Sequence, residues 1–278
     1  MGDNRSYGTT NGGTDATRHG TNASYSTEQD ALLPKQDPRA GLRDYLDRNV
    51  SRKKADLVLL FTYITTGLLD STATAVWGSF VSMQTGNTIY VGLGLSDPTK
   101  STRWVKSGTS ILAFCFGSFC FARFHRRYSA RRRWVMIAST FIQLLCILAA
   151  ALIVTLTPDD VHDLHWSILV PIGLVAFQSA GQAVISRALQ YGSLTSVVLT
   201  SIYCDLFSDA KLFAGLTENV ERNRRGAAPV LLLFGAIMGG LWAKTEVGIT
   251  GALWTAAALK LIVVVTWILW PAEKEDET

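Results

Sequence analysis

The feature that most limits what this chain can fold into is one run of about forty residues, Asp56 to Ser96. The run is apolar at both ends and broken by polar groups at two places. One bilayer crossing takes roughly 20 apolar residues, so the run is too long for a single helix and barely enough for two. The interruptions are Asp70-Ser71-Thr72 and Gln84-Thr85-Gly86-Asn87-Thr88. A carboxylate deep in a greasy segment costs about 2.5–3.5 kcal/mol on insertion scales, which marks Asp70 as a candidate functional group.

Composition extends this to the whole chain. Only 17% of the 278 residues are charged and 48% are hydrophobic, where a soluble domain would carry about 25% charged residues. The charges collect in the first 55 residues, in short runs between apolar blocks and in the tail PAEKEDET, the pattern of spans separated by loops. The lipid bilayer is therefore the expected surrounding. The net charge of +4 does not indicate nucleic acid, because the bases are scattered between apolar blocks instead of lining one face. Cys115, Cys120, Cys146 and Cys204 lie inside apolar blocks and read as small packing residues. His19, His125, His162 and His165 read as tail or loop residues, so no metal site or cofactor is expected.

In chain order, residues 1–37 are rich in Gly, Thr, Ser, Asn and Asp and read as a disordered cytosolic tail. They lack the apolar core of a signal peptide, so the first span should direct insertion. Glu28, Leu32 and Leu33 resemble an acidic dileucine signal of the kind sorting adaptors bind, or are ordinary tail residues. Asn22-Ala23-Ser24 is a glycosylation acceptor only if the tail is lumenal. Residues 38–55 read as an amphipathic helix on the membrane surface, with Leu42, Tyr45, Leu46 and Val50 on its apolar side. The transmembrane domain is expected over 56–271. After the opening run its spans fall near 107–122, 134–155, 166–186, 227–243 and 249–270, with an acidic tail at 272–278.

Counting bases chooses the topology. Six full spans with two partial segments put Arg48, Arg52, Lys53 and Lys54, the six arginines of 123–133, and Arg222, Arg224 and Arg225 on one side. Lys100, Arg103, Lys106 and Lys244 then fall on the other side. That is the positive-inside pattern with both termini cytosolic, in the plasma membrane or a vacuole-like endomembrane. The alternative of eight spans places the six-arginine loop outside. The expected class is thus an all-α integral membrane protein of six full helices plus two partial or broken segments.

The second half echoes the first. Gln178 and Gln182, then Thr195, Thr200-Ser201, Tyr203 and Asp205, follow an apolar block as Asp70 and Gln84 to Thr88 do. Three crossings per half would make an inverted repeat, which places solute sites on interrupted helices at mid-membrane. Gly86 could supply the first break, with Thr85, Asn87 and Thr88 capping freed backbone groups or binding a solute. Lys260 lies mid-span in ALWTAAALKLIVVVTWILW, too central to reach an interface easily. Its obvious partners are Asp70 or Asp205, in a structural ion pair or a proton-coupling one. Gln143, Gln178 and Gln182 either bond a neighbouring helix or touch a solute.

These residues also resemble a known family. Gly67-Leu68-Leu69-Asp70, Phe80 and Gln84-Thr85-Gly86-Asn87-Thr88 are similar to the G-x-x-D…F…M-T-G-N-T pattern of the YoaK family, multi-pass membrane proteins carrying a domain of unknown function. Gln178-Ser179 and Thr200 to Leu206 are similar to that family's Gln-Asn pair and T-G-T-x-T-D-L stretch, with Ser179 in place of Asn and Ser201 in place of Gly. The resemblance spans about 55–270 and implies a membrane protein, in all expectation a small-molecule carrier. The expected site is Asp70, Gln84, Thr85, Gly86, Asn87, Gln178, Thr200, Asp205 and Lys260, facing a small-molecule solute. The alternative function is a non-transporting scaffold or assembly factor. No nucleophile–base pair, nucleotide loop or zinc motif suggests an enzyme.

Overall fold

A computed structural model describes residues 38–157 and 162–273. The dileucine-like residues and the glycosylation triplet lie outside them. The chain divides after Arg43 into two units; of the first, Pro38–Arg43 is described, and Asp44 onward forms the second. Nine α-helices occur among the described residues. Helix α1, Pro38–Asp47, has proline at its first position, where no amide partner is needed. The others are α2 Ala55–Val76, α3 Gln84–Ser96, α4 Arg103–Arg127, α5 Arg133–Leu156, α6 Trp166–Ala188, α7 Thr200–Phe207, α8 Val220–Trp242 and α9 Gly248–Leu269.

Six of them, α2, α4, α5, α6, α8 and α9, are long and apolar enough to cross a membrane. Helix α3 has 13 residues and α7 has 8, about 20 and 12 Å of rise against a hydrocarbon core of ~30 Å. Six spans with two partial segments is therefore the architecture, and eight spans is not. Span ends differ from expectation where a polar end was read as loop. Helix α4 runs on to Arg127 and takes in His125, which is 3% exposed and bonded through Nδ1 to the Ala130 carbonyl at 3.2 Å. The basic stretch 221–225 forms the first turns of α8, whose N-terminus is capped by Asn219 accepting from the Arg222 amide at 2.9 Å.

The packing of the helices is symmetric. Helix α2 packs on α8 as α6 packs on α4; α2 touches α9 as α6 touches α5; α5 and α9 meet each other; and the short α3 and α7 lie on α4 and α8. Exchanging α2, α4 and α5 for α6, α8 and α9, and α3 for α7, returns each of these contacts. Three crossings per half invert one half relative to the other. Apolar side chains such as Leu112, Phe116, Leu152, Leu233 and Leu261 are exposed on the spans, as lipid-facing residues are.

Glycine sets the closest approaches. At Gly117 a Cβ would stand 2.7 Å from the Phe177 carbonyl on α6. At Gly67, Gly235 and Gly239 a Cβ would run into the backbone of the facing helix in the α2–α8 pair. Residues with no side chain let these backbones meet, which is how helices associate where the solvent is itself apolar.

One end of the bundle gathers the basic residues. Arg133 donates to the carbonyls of Tyr45 at 2.8 Å and Trp270 at 2.6 Å, and its guanidinium lies 3.7 Å from the centre of the Tyr45 ring. Val50 pairs with Ala272 and Asn49 with Arg132, Arg131 bonds Glu273, and Arg224 meets Asp56 at 2.8 Å. The segment before α2, the α4–α5 turn, the start of α8 and the end of α9 thus share one side. At the other end one of the bases is paired with a carboxylate. Lys106 reaches Asp163 at 3.3 Å, while Arg103 donates to the Gly78 carbonyl and lies 3.5 Å from the Tyr90 ring centre.

Candidate functional site

The polar groups of the spans form two clusters. The first surrounds residues 77–83, where the chain leaves α2 and turns into α3. The break is made by Gly78, at φ +76°, a backbone conformation that side chains oppose. Gly86 does not make it; that glycine lies inside α3, where a Cβ would stand 2.7 Å from Met83 and 2.8 Å from the Phe80 ring. Its role is to let Phe80 fold over the helix.

Non-helical backbone at membrane depth needs partners for every amide and carbonyl, and the conspicuous residues of the opening run supply them. Asp70 Oδ1 accepts from the amides of Val81 and Ser82, both at 2.8 Å, and Oδ2 accepts from the Ser82 hydroxyl. Asn87, fully buried, accepts at Oδ1 from the Phe80 amide at 3.0 Å. Its Nδ2 donates to the Phe80 carbonyl at 2.8 Å and to Gln84 Oε1 at 2.9 Å. Ser179 of α6 donates to the Val81 carbonyl at 3.0 Å, and Arg103 takes the Gly78 carbonyl. Asp70, Gln84 and Asn87 therefore fasten a turn. Thr85 is exposed.

The second cluster sits at mid-bundle. Lys260 is 1% exposed and lies 12 residues from the start of α9 and 9 from its end, about 18 and 14 Å along the axis. Neither aspartate reaches it: Asp70 is bonded to the α2–α3 turn, and Asp205, with Thr200, is exposed on α7. Lys260 Nζ instead donates to Gln143 Oε1 of α5 at 2.9 Å and to Gln182 Oε1 of α6 at 2.8 Å. Gln182 Nε2 in turn donates to Thr66 Oγ1 of α2 at 2.9 Å and to Ser196, in the segment before α7. Residues from both halves and from one of the interrupted segments thus meet at a single ammonium group.

Beside them is a cavity of about 10 Å³ whose lining includes Thr62, Thr140, Gln143, Gln182, Lys260 and Trp267, room for about one water molecule. Neither Asp70 nor Asn87 lines it. Gln178 is buried nearby on α6, 2% exposed, with its Oε1 unpartnered among the described residues. Sequence reasoning identified Lys260 but assigned it the wrong partners. It missed Ser196 and Thr66 and gave Ser179 no bonding role, because a serine or threonine in an apolar helix looks the same whether it bonds its own backbone or another helix.

Of the larger hollows, two open at opposite ends. One, of about 400 Å³, lies between α3 and α4 and is lined by Tyr90, Gly94, Lys100, Arg103 and Trp104 among others. The other, of about 280 Å³, lies at the basic end and is lined by Arg52, Tyr191, Leu194, Glu221, Arg224 and Arg225 among others.

A family model matches residues 58–266 and is described as "Protein of unknown function (DUF1275)". No curated protein and no solved structure matches the chain.

Proposed function

The chain belongs to the DUF1275 family, and from that premise we propose that it is a carrier that moves a small solute past Lys260 by rocking its two inverted halves. The observation that carries this reading is the position of Lys260. A lysine at mid-bilayer, 1% exposed and hydrogen-bonded to two glutamine oxygens, costs free energy that a merely structural bundle has no reason to spend. The groups around it come from α2, α5, α6, α9 and the segment before α7, so motion between the halves would alter the site directly. A hollow at each end fits alternate opening to the two sides.

Asp70 has no part in the solute path on this reading; it holds the α2–α3 turn on which the first half moves. The test compares metabolites in cells lacking the protein, expressing it, or expressing Lys260→Gln, with membrane levels matched. Wild type should shift at least one solute pool and Lys260→Gln should not. Identical pools in all three, or full activity in the variant, would remove the carrier.

A further inference from the structure

We infer that the Lys260 site binds a small anion, either a halide ion or the carboxylate head of a larger solute; this rests on the carrier reading and names its solute class. A charged lysine has three N–H donors, and two are taken by Gln143 and Gln182. Both of those acceptors are neutral amide oxygens, so hydrogen bonding leaves the positive charge without a counter-charge. A buried ammonium is tolerated when it is paired with an anion or coordinated by one.

The second observation is independent of the lysine. Gln143 is 1% exposed, and its Nε2 has no acceptor among the described residues. This orphan donor is attached to the same amide carbon as the oxygen that Lys260 holds. The α6 residue beside it is Gly181, where a Cβ would stand 2.9 Å from Nε2 and 2.7 Å from the Phe121 ring, so no side chain of that residue satisfies the amide. An unused ammonium N–H and an unused amide N–H, on two residues that line one cavity, are both donors, and the ligand that satisfies both is an acceptor. The cavity of about 10 Å³ limits what can sit there in this closed form to a single atom or the tip of a larger group.

Purified full-length protein in detergent provides the test, with unfolding temperature and tryptophan emission as readouts, since Trp267 lines the cavity. Sodium chloride and sodium acetate are titrated at constant ionic strength against sodium sulfate, a tetrahedral dianion that is neither a halide nor a carboxylate. Wild type should show a saturable response: to chloride alone if a halide is bound, and to acetate if a carboxylate is. Lys260→Met should weaken half-saturation by ~30-fold or more.

Because Lys260→Met could also fail to fold, Gln143→Glu is the decisive variant. It puts a carboxylate 2.9 Å from the ammonium, supplies the missing counter-charge from within, and should abolish the response while leaving the protein folded. No saturable response in wild type, or an undiminished one in Gln143→Glu, overturns the inference. Saturable binding without solute flux in proteoliposomes would keep the anion site and remove the carrier. Flux of a neutral solute by a protein blind to both anions would do the reverse.

Discussion

At the scale of single residues, Asp70 and Lys260, both set inside apolar spans, do opposite jobs. Asp70 is saturated: two backbone amides and one hydroxyl satisfy it, so replacing it is a structural experiment. Asp70→Ala strands two amides of the turn, each worth about 1–3 kcal/mol when left unpaired, and should lower the unfolding temperature by roughly 5–15 °C. Asp70→Asn keeps an acceptor for both amides and should lose less than half of that. A coupling carboxylate would reverse the pattern, with Asn stable and inactive; thermal unfolding beside the metabolite assay separates the two. Lys260 is under-satisfied, and that asymmetry is why chemistry is assigned to it.

At the scale of elements, the α2–α8 contact depends on where glycine faces backbone. At Gly239 a Cβ would meet the Leu68 carbonyl and lie 2.7 Å from Thr72 Oγ1, whereas at Gly240 the nearest atom is Ser71 Oγ at 3.7 Å. Gly239→Ala should therefore destabilise by roughly 1–3 kcal/mol through overpacking, while Gly240→Ala should unfold at the wild-type temperature. Equal effects would mean that the two helices do not meet along this face.

The contact at the start of α4 depends on pH. Hydrogen bonds from Thr102 and Lys106, and the lysine's charge, hold the Asp163 carboxyl below the usual carboxylate range. A depressed pKa adds stability above the ordinary value of about 3.9 and loses it as pH falls through the lowered one. The gain is small because the carboxylate is mostly exposed to screening solvent. The difference in unfolding temperature between wild type and Asp163→Asn should accordingly shrink below about pH 4; a constant difference down to pH 3 would show that the ion pair is not formed.

At the scale of the whole molecule, the contacts joining the segment before α2, the α4–α5 turn and the residues after α9 place them at one end. In a protein with its native cysteines replaced, Ser129→Cys should react with a membrane-impermeant reagent from the same side as a cysteine at 273. Ser101→Cys should react from the opposite side. The basic end should be the cytosolic one by the positive-inside rule. Labelling of all three from one side would refute the six-span arrangement.

The sequence by itself located the six long apolar blocks, the two polar interruptions and the basic loops, because hydropathy and loop charge are local properties. That the interrupted segments stop short of full crossings, which puts the basic loops on one side, needed the structure. The sequence also singled out Lys260 and Asp70, since a charge inside an apolar run is visible without a fold. Only the tertiary structure decided what those charges face. Lys260 bonds residues 117 and 78 positions away in the chain, and nothing in an apolar helix announces which helix lies against it. Asp70 looked like a partner because its charge was opposite, but the unpaired amides of an adjacent turn were closer and had no water to bond. The turn claimed the carboxylate, and the lysine was left to two glutamines.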